Sequence, residues 1–176
     1  MSKEKMSPTQ KTLMLVTCGM LVALDVVLTR FASVNLWDKR IGFSFVAVGL
    51  AAYLYGPIGG AVVHGLSDFI GALVFPYGPY FPGYTLTAMV IGLVFGLCFY
   101  RSTKVWRIAL GVVGAQAVGS ILLNTLWIAI TNHTPYFALL PGRLIQASVM
   151  VPVQLVVLPL VVLVAEKAIK PLLKAR

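Results

Sequence analysis

A chain of 176 residues that is 59% hydrophobic and 11% charged has more apolar surface than a soluble fold of its size can hide, so lipid must be the solvent for much of it. The formal net charge of +9 would suggest nucleic acid in a soluble protein. Here the cations flank apolar stretches and lack a basic groove interleaved with aromatics, so they read as topology signals and anchors to anionic lipid headgroups.

In chain order, a polar segment (1–11) precedes the first apolar stretch, Leu13–Leu28, which has no small-residue cleavage site and is expected to be a retained span. The next stretches are Ile41–Tyr55, Ile58–Phe75, Tyr84–Tyr100, Ile108–Ile130 and Leu144–Val164. Gly56-Pro57-Ile58-Gly59-Gly60 separates the second from the third so briefly that the two must form a tight helical hairpin. Ten of the fourteen Lys and Arg residues fall at one set of alternating junctions: Lys3, Lys5, Lys11, Arg101, Lys104, Arg107, Lys167, Lys170, Lys174 and Arg176. That bias predicts both termini in the cytoplasm. The expected fold is an all-α integral membrane protein of six transmembrane helices: a cytoplasmic segment (1–11), one membrane domain (12–170) and a basic tail (171–176), multi-pass in the cell membrane.

Four cations fall on the outward side, Arg30, Lys39, Arg40 and Arg143, where they suit an anionic ligand arriving from outside. Three outer connections are expected, at 30–40, 76–83 and 131–142. They carry Trp37, then Tyr77, Tyr80, Phe81 and Tyr84, then Tyr136 and Phe137. The stiff prolines and permissive glycines of 76–84 read as a shaped lid. Asp25 and Asp68 lie in apolar helices, where a carboxylate faces a partner or a water-filled cavity. Gly19 and Ala23, Gly92 and Gly96, and Gly111, Ala115 and Gly119 are spaced for close helix packing. For the fourth and fifth spans this is expected to be internal; on the first it is equally a face for a partner.

Several chemistries lack their signatures. There is no GxxxxGK[ST] phosphate loop, so this chain cannot itself couple ATP to work. Cys18 and Cys98 sit in apolar runs and are expected to be packing residues, and neither His64 nor His133 has a partner at metal-ligand spacing. His64 is expected to be a packed helix residue. Gly65-Leu66-Ser67-Asp68 lacks a nucleophile elbow, which argues against an intramembrane protease. Neither enzymatic activity nor a cofactor or metal is expected.

Arg40-Ile41-Gly42-Phe43-Ser44-Phe45, Tyr55-Gly56-Pro57-Ile58-Gly59-Gly60 leading to Asp68, Pro79-Tyr80-Phe81-Pro82-Gly83-Tyr84-Thr85, and Leu140-Pro141-Gly142-Arg143 with Gln146 together resemble the substrate-binding S components of energy-coupling factor (ECF) vitamin transporters, most closely the folate-specific type. The resemblance covers about 12–170. It implies a subunit that captures folate or reduced folate outside the cell and passes it to a transmembrane T subunit with two ATPase subunits. Another vitamin, such as thiamine or riboflavin, is the alternative within the family, and an intramembrane enzyme the more distant one. The family's small-residue motif on the first helix, usually alanines, corresponds to Gly19 and Ala23, which become the expected docking face for that module. Folate chemistry then distributes the candidate residues. Asp68, Asn124 and Gln146 are candidates for the pterin edge; Phe43, Tyr80, Phe81 and Trp127 for the walls around the benzoyl ring; and Arg30, Arg40 and Arg143 for the glutamate tail. Arg143 is expected near a helix amino terminus after Pro141, where the dipole also favours an anion.

Overall fold

Hydrocarbon offers a backbone no hydrogen-bond partner, so an apolar chain satisfies its amides within helices. A computed structural model describes residues 8–36, 39–76 and 80–174, with the side chains of 34–41 and 168–174 outside the described set. The helices are α1 (Pro8–Arg30), α2 (Ser44–Val74), α3 (Pro82–Phe99), α4 (Val105–Ala115), a π-helical segment (Gln116–Asn124), α5 (Thr125–Thr131) and α6 (Tyr136–Lys174). Five helical stretches are long and apolar enough to cross a membrane: α1, α2, α3, the continuous run from Val105 to Thr131, and Tyr136–Lys167.

The α2 span contains the expected hairpin. Gly56 adopts φ 74° and ψ −159°, a conformation reserved for glycine, and Pro57 follows it. Ala51 and Val63 would lie about 18 Å apart on a straight helix, yet both pack with Leu21 of α1 in one buried cluster. The chain therefore doubles back at Gly56. The α3–α4 turn lies at the same end, because Arg101 N–H donates to the carbonyl of Tyr53 (3.3 Å).

The connection after α1 adds a short antiparallel ribbon to the helical fold, β1 (Val34–Leu36) with β2 (Lys39–Ile41), pairing Val34 with Ile41 and Leu36 with Lys39. One expectation is corrected. At the other end α6 starts at Tyr136, eight residues before the expected span boundary at Leu144. Pro141 thus lies inside the helix rather than at its start. Tyr136 and Phe137 are helix residues, and Arg143 is two turns in, beyond the first turn to which a helix dipole's attraction for anions is confined.

The main core joins the first arm of α2 to α3, α4 and α6 through Phe45, Val48, Phe95, Phe99, Val112 and Leu158, with Phe95 and Phe99 stacked at 4.8 Å. Backbone contact holds the second arm of α2 against α3. A Cβ on Gly92 would overlap the carbonyl of Gly60 and come 2.7 Å from Ala61 N, and one on Gly96 would meet the backbone at Gly56 and Pro57. In the run from α4 through the π-helical segment, a Cβ on Gly111 would come within 2.5 Å of the Phe99 ring, and Gly119 faces Ile91. The small residues of the fourth and fifth sequence spans thus serve internal packing, as expected. Gly19 differs: beyond its chain neighbours and its own helix backbone, no atom of the described residues lies within 4 Å of where its Cβ would be, and Ala23 is exposed.

Candidate functional site

At the end of the bundle opposite the Gly56 turn, α1, α2, α3 and α5 enclose a cavity of about 790 Å³, within the range of ligand pockets. Arg30, the last residue of α1, and Thr131 and Asn132 at the end of α5 mark its mouth. Tyr80, Phe81 and Tyr84 line it from the start of α3 and the residues before it, so part of the predicted lid borders the cavity; Tyr77 and Trp37 lie outside the described residues. A second, smaller cavity of about 240 Å³ is bordered by Ser44, Gln116, Ser120, Gln146 and Gln154. His64, Ile91 and Asn124 border both cavities, which makes them the boundary between the two lobes.

Asp68 borders the larger cavity and accepts from Thr85 Oγ1 (2.8 Å), while Tyr80 Oη lies 3.1 Å from the same hydroxyl. One wall is therefore a linked Tyr80–Thr85–Asp68 chain joining α2 to α3. Phe81 packs against the Trp127 ring at 5.5 Å and against Tyr84 at 5.9 Å. Trp127 is fixed by donating Nε1–H to Thr87 Oγ1 (3.0 Å), and it fills the space a side chain on Gly83 would take. Phe43 packs instead against the main core, 6.1 Å from Phe45. Asn124 borders both lobes and Gln146 the smaller.

The three arginines separate. Arg30 borders the larger cavity with its guanidinium laid over Gly71, where a Cβ would come 2.9 Å from Nε and 3.2 Å from Nη2. Arg143 is not among the residues bordering either cavity; its Nη1 donates to Gln146 Oε1 (3.0 Å), through which it touches the smaller lobe. The side chain of Arg40, on β2, lies outside the described residues.

His64, read from sequence as a packing residue, borders both cavities, and its Nδ1 lies 2.9 Å from Oδ2 of the wholly buried Asp25. Its spacing of four from Asp68 was the available signal, since that puts both on one helix face. Gln116 and Gln154 were also missed; Gln116 Nε2 donates to Gln154 Oε1 (3.2 Å), and polar groups inside apolar spans are the cue. Ser67, His64 and Asp25 do not form a relay. Ser67 Oγ and His64 Nδ1 both address Asp25 Oδ2, so the imidazole does not bridge hydroxyl and carboxylate. Among the described residues no group of three or more His, Cys, Asp or Glu is placed to hold a metal ion. What the site offers is a deep slot with aromatic walls, carboxylate, imidazole and amide groups along its length, and a cation at its mouth.

Residues 13–162 match the family model for the substrate-specific component of ECF transporters. The chain belongs to this family. Two relatives named folate transporter FolT are similar to this S component. The protein of Clostridium novyi (strain NT) is 31% identical over 150 residues, 85% of this chain and 87% of its own. That of Leuconostoc mesenteroides subsp. mesenteroides is 31% identical over 154 residues, 84% of this chain and 83% of its own. A crystal structure of FolT bound with folic acid superposes with a TM-score of 0.75 at 27% identity, covering 84% of this chain and 91% of that one. The biotin S-component of an ECF-type transporter shares the fold, with a TM-score of 0.68 at 16% identity over 94% of this chain and 95% of that one.

Proposed function

We propose that this S component binds folate or a reduced folate on the outer side of the cell membrane and delivers it through a T subunit and two ATPase subunits. The observation that carries the reading is the sequence of chemistries along one cavity. Arg30 at the mouth suits the glutamate carboxylates, Phe81 and Tyr84 with Trp127 behind them suit the rings, and Asp68 and Asn124 suit the donor and acceptor edges of a pterin. Similarity to folate transporters and to a folate-bound structure supports the same ligand. In this reading the two arms of α2 cross separately, giving six spans with both termini cytoplasmic. The Gly56 turn and the basic α3–α4 turn then face the cytoplasm, in accord with the positive-inside bias. Gly19 and Ala23 form the docking face for the energising module.

Trp127 makes the ligand measurable, because a ring stacking near Phe81 perturbs its fluorescence. Titration of the detergent-solubilised protein should show saturable quenching with folate and reduced folates, without ATP, and none with thiamine or riboflavin. Saturation by either of those vitamins with no response to folates would overturn the substrate assignment.

The mouth gives a second expectation. Arg30→Ala should weaken folate binding about tenfold or more, since a charge-assisted contact is worth roughly 1.5–3 kcal/mol. Gly71→Ala should act in the same direction, because its methyl displaces the flexible guanidinium rather than any backbone. Pteroate, which lacks the glutamate, should bind both variants as it binds wild type. Parallel loss of pteroate would assign Arg30 to the fold instead of the tail.

A further inference from the structure

We propose that His64 is a specificity-determining residue of this cavity, accepting a hydrogen bond at Nε2 from a ring N–H of the ligand, and that buried Asp25 is the positioning residue that makes it an acceptor. The proposal deepens the folate reading and rests on it. Three groups address the Asp25 carboxylate from two helices. Thr29 Oγ1 lies 3.4 Å from Oδ1, while His64 Nδ1, at 2.9 Å, and Ser67 Oγ both reach Oδ2. Ser67 Oγ is also held 2.9 Å from the main-chain carbonyl of His64, which fixes it beside the imidazole. A carboxylate met by hydroxyls on both oxygens is an acceptor, so the proton between it and the imidazole belongs on Nδ1. With Nδ1–H committed to Asp25, the ring in its neutral form presents Nε2 as an acceptor, and the ring borders both lobes of the cavity.

Depth selects which part of the ligand meets it. His64 is seven residues before Gly71, over which the Arg30 guanidinium lies, about 10 Å below the mouth at 1.5 Å per residue. Arg30 occupies the mouth, so a ligand seated with its carboxylates there carries its heterocycle inward, towards His64. Asp68 stands one turn nearer the mouth on the same face, about 6 Å away along the axis. The two acceptors on one wall thus face a heterocycle whose edge carries N–H donors. Sequence could not show this, because Asp25 and His64 are 39 positions apart.

The test compares fragments. In the full-length protein, His64→Ala and Asp25→Leu should each weaken folate and a 6-substituted pterin about tenfold, while p-aminobenzoyl-glutamate binds as in wild type. The double variant should lose no more than His64→Ala alone, because Asp25 acts through the ring. His64→Gln, which brings an amide oxygen near the position of Nε2, should recover much of the pterin affinity and make that affinity indifferent to Asp25→Leu. The chain has two histidines, so ¹⁵N-histidine spectra compared with His133→Gln isolate His64, which should report the neutral Nδ1–H tautomer in wild type and lose it in Asp25→Leu. Equal loss for the pterin and tail fragments would make the pair a structural tie between α1 and α2 and overturn the proposal. So would additive losses, a protonated Nε2, or unchanged pterin binding in His64→Ala. A wild-type protein that binds no folate is a distinct result, which removes the substrate reading and this inference with it.

Discussion

Gly19→Leu and Ala23→Trp are expected to abolish cellular uptake and co-purification with the energising subunits while leaving folate binding by the isolated subunit within about twofold of wild type. Among the described residues the face is open: beyond its chain neighbours and its own helix backbone, no atom lies within 4 Å of a Cβ at Gly19, and nearby Leu15 and Met20 are 75% and 69% exposed. In lipid, added bulk on such a face costs the isolated protein little, since hydrocarbon solvates a leucine as well as another helix does. Against a partner helix the same bulk removes the close backbone approach that small residues permit, and with it the van der Waals contact on which association in a bilayer depends. The cavity lies on the other side of α1, towards Asp25 and α2, so ligand binding should be insulated from the change. Pull-down of the ATPase subunits and uptake of labelled folate give the two readouts. A variant that assembles and transports normally would remove the docking role of this face, and one that loses folate binding in parallel would assign it to the bundle.

Gly92→Val should destabilise the protein by more than about 4 kcal/mol, seen as a fall in melting temperature of about 10 °C or more in detergent. The added side chain meets main-chain atoms of Gly60 and Ala61 rather than a side chain that could swing away, so α2 and α3 must separate. Separation would also pull Asp68 from Thr85 and open the cavity wall they form. Gly19→Ala is the matched control, because it enters open space and should melt as wild type does. A Gly92→Val protein with unchanged melting would mean that the α2–α3 backbone contact is not what holds these helices.

Much of the architecture was legible because hydropathy is a property each residue carries wherever it sits. The helical character of the apolar stretches, the turn at Gly56 and the internal packing of Gly92, Gly96, Gly111 and Gly119 appear as expected. Boundaries fared worse where a proline was read as a helix start: Pro141 lies within α6, which shifts Tyr136 and Phe137 from loop to helix and takes Arg143 away from the amino terminus. The short ribbon of β1 and β2 was missed for a related reason, since three-residue strands leave too little alternation to recognise.

The site divides along the same line. Arg30, Asp68 and Asn124 were identifiable because polar groups in or beside apolar spans are costly unless they face a partner or a cavity, and they do border the larger cavity. Sequence by itself determined that the chain lives in lipid, where its helices turn, and which polar groups needed an explanation. Tertiary structure alone decided which of them meet. It set Arg143 on Gln146, seated Arg30 on Gly71, and joined Asp25 of α1 to His64 of α2. The physical reason is that solvent preference acts on each residue singly, whereas a hydrogen bond depends on two helix faces whose mutual rotation and depth are fixed only when backbones pack, here at the glycines of α2 and α3.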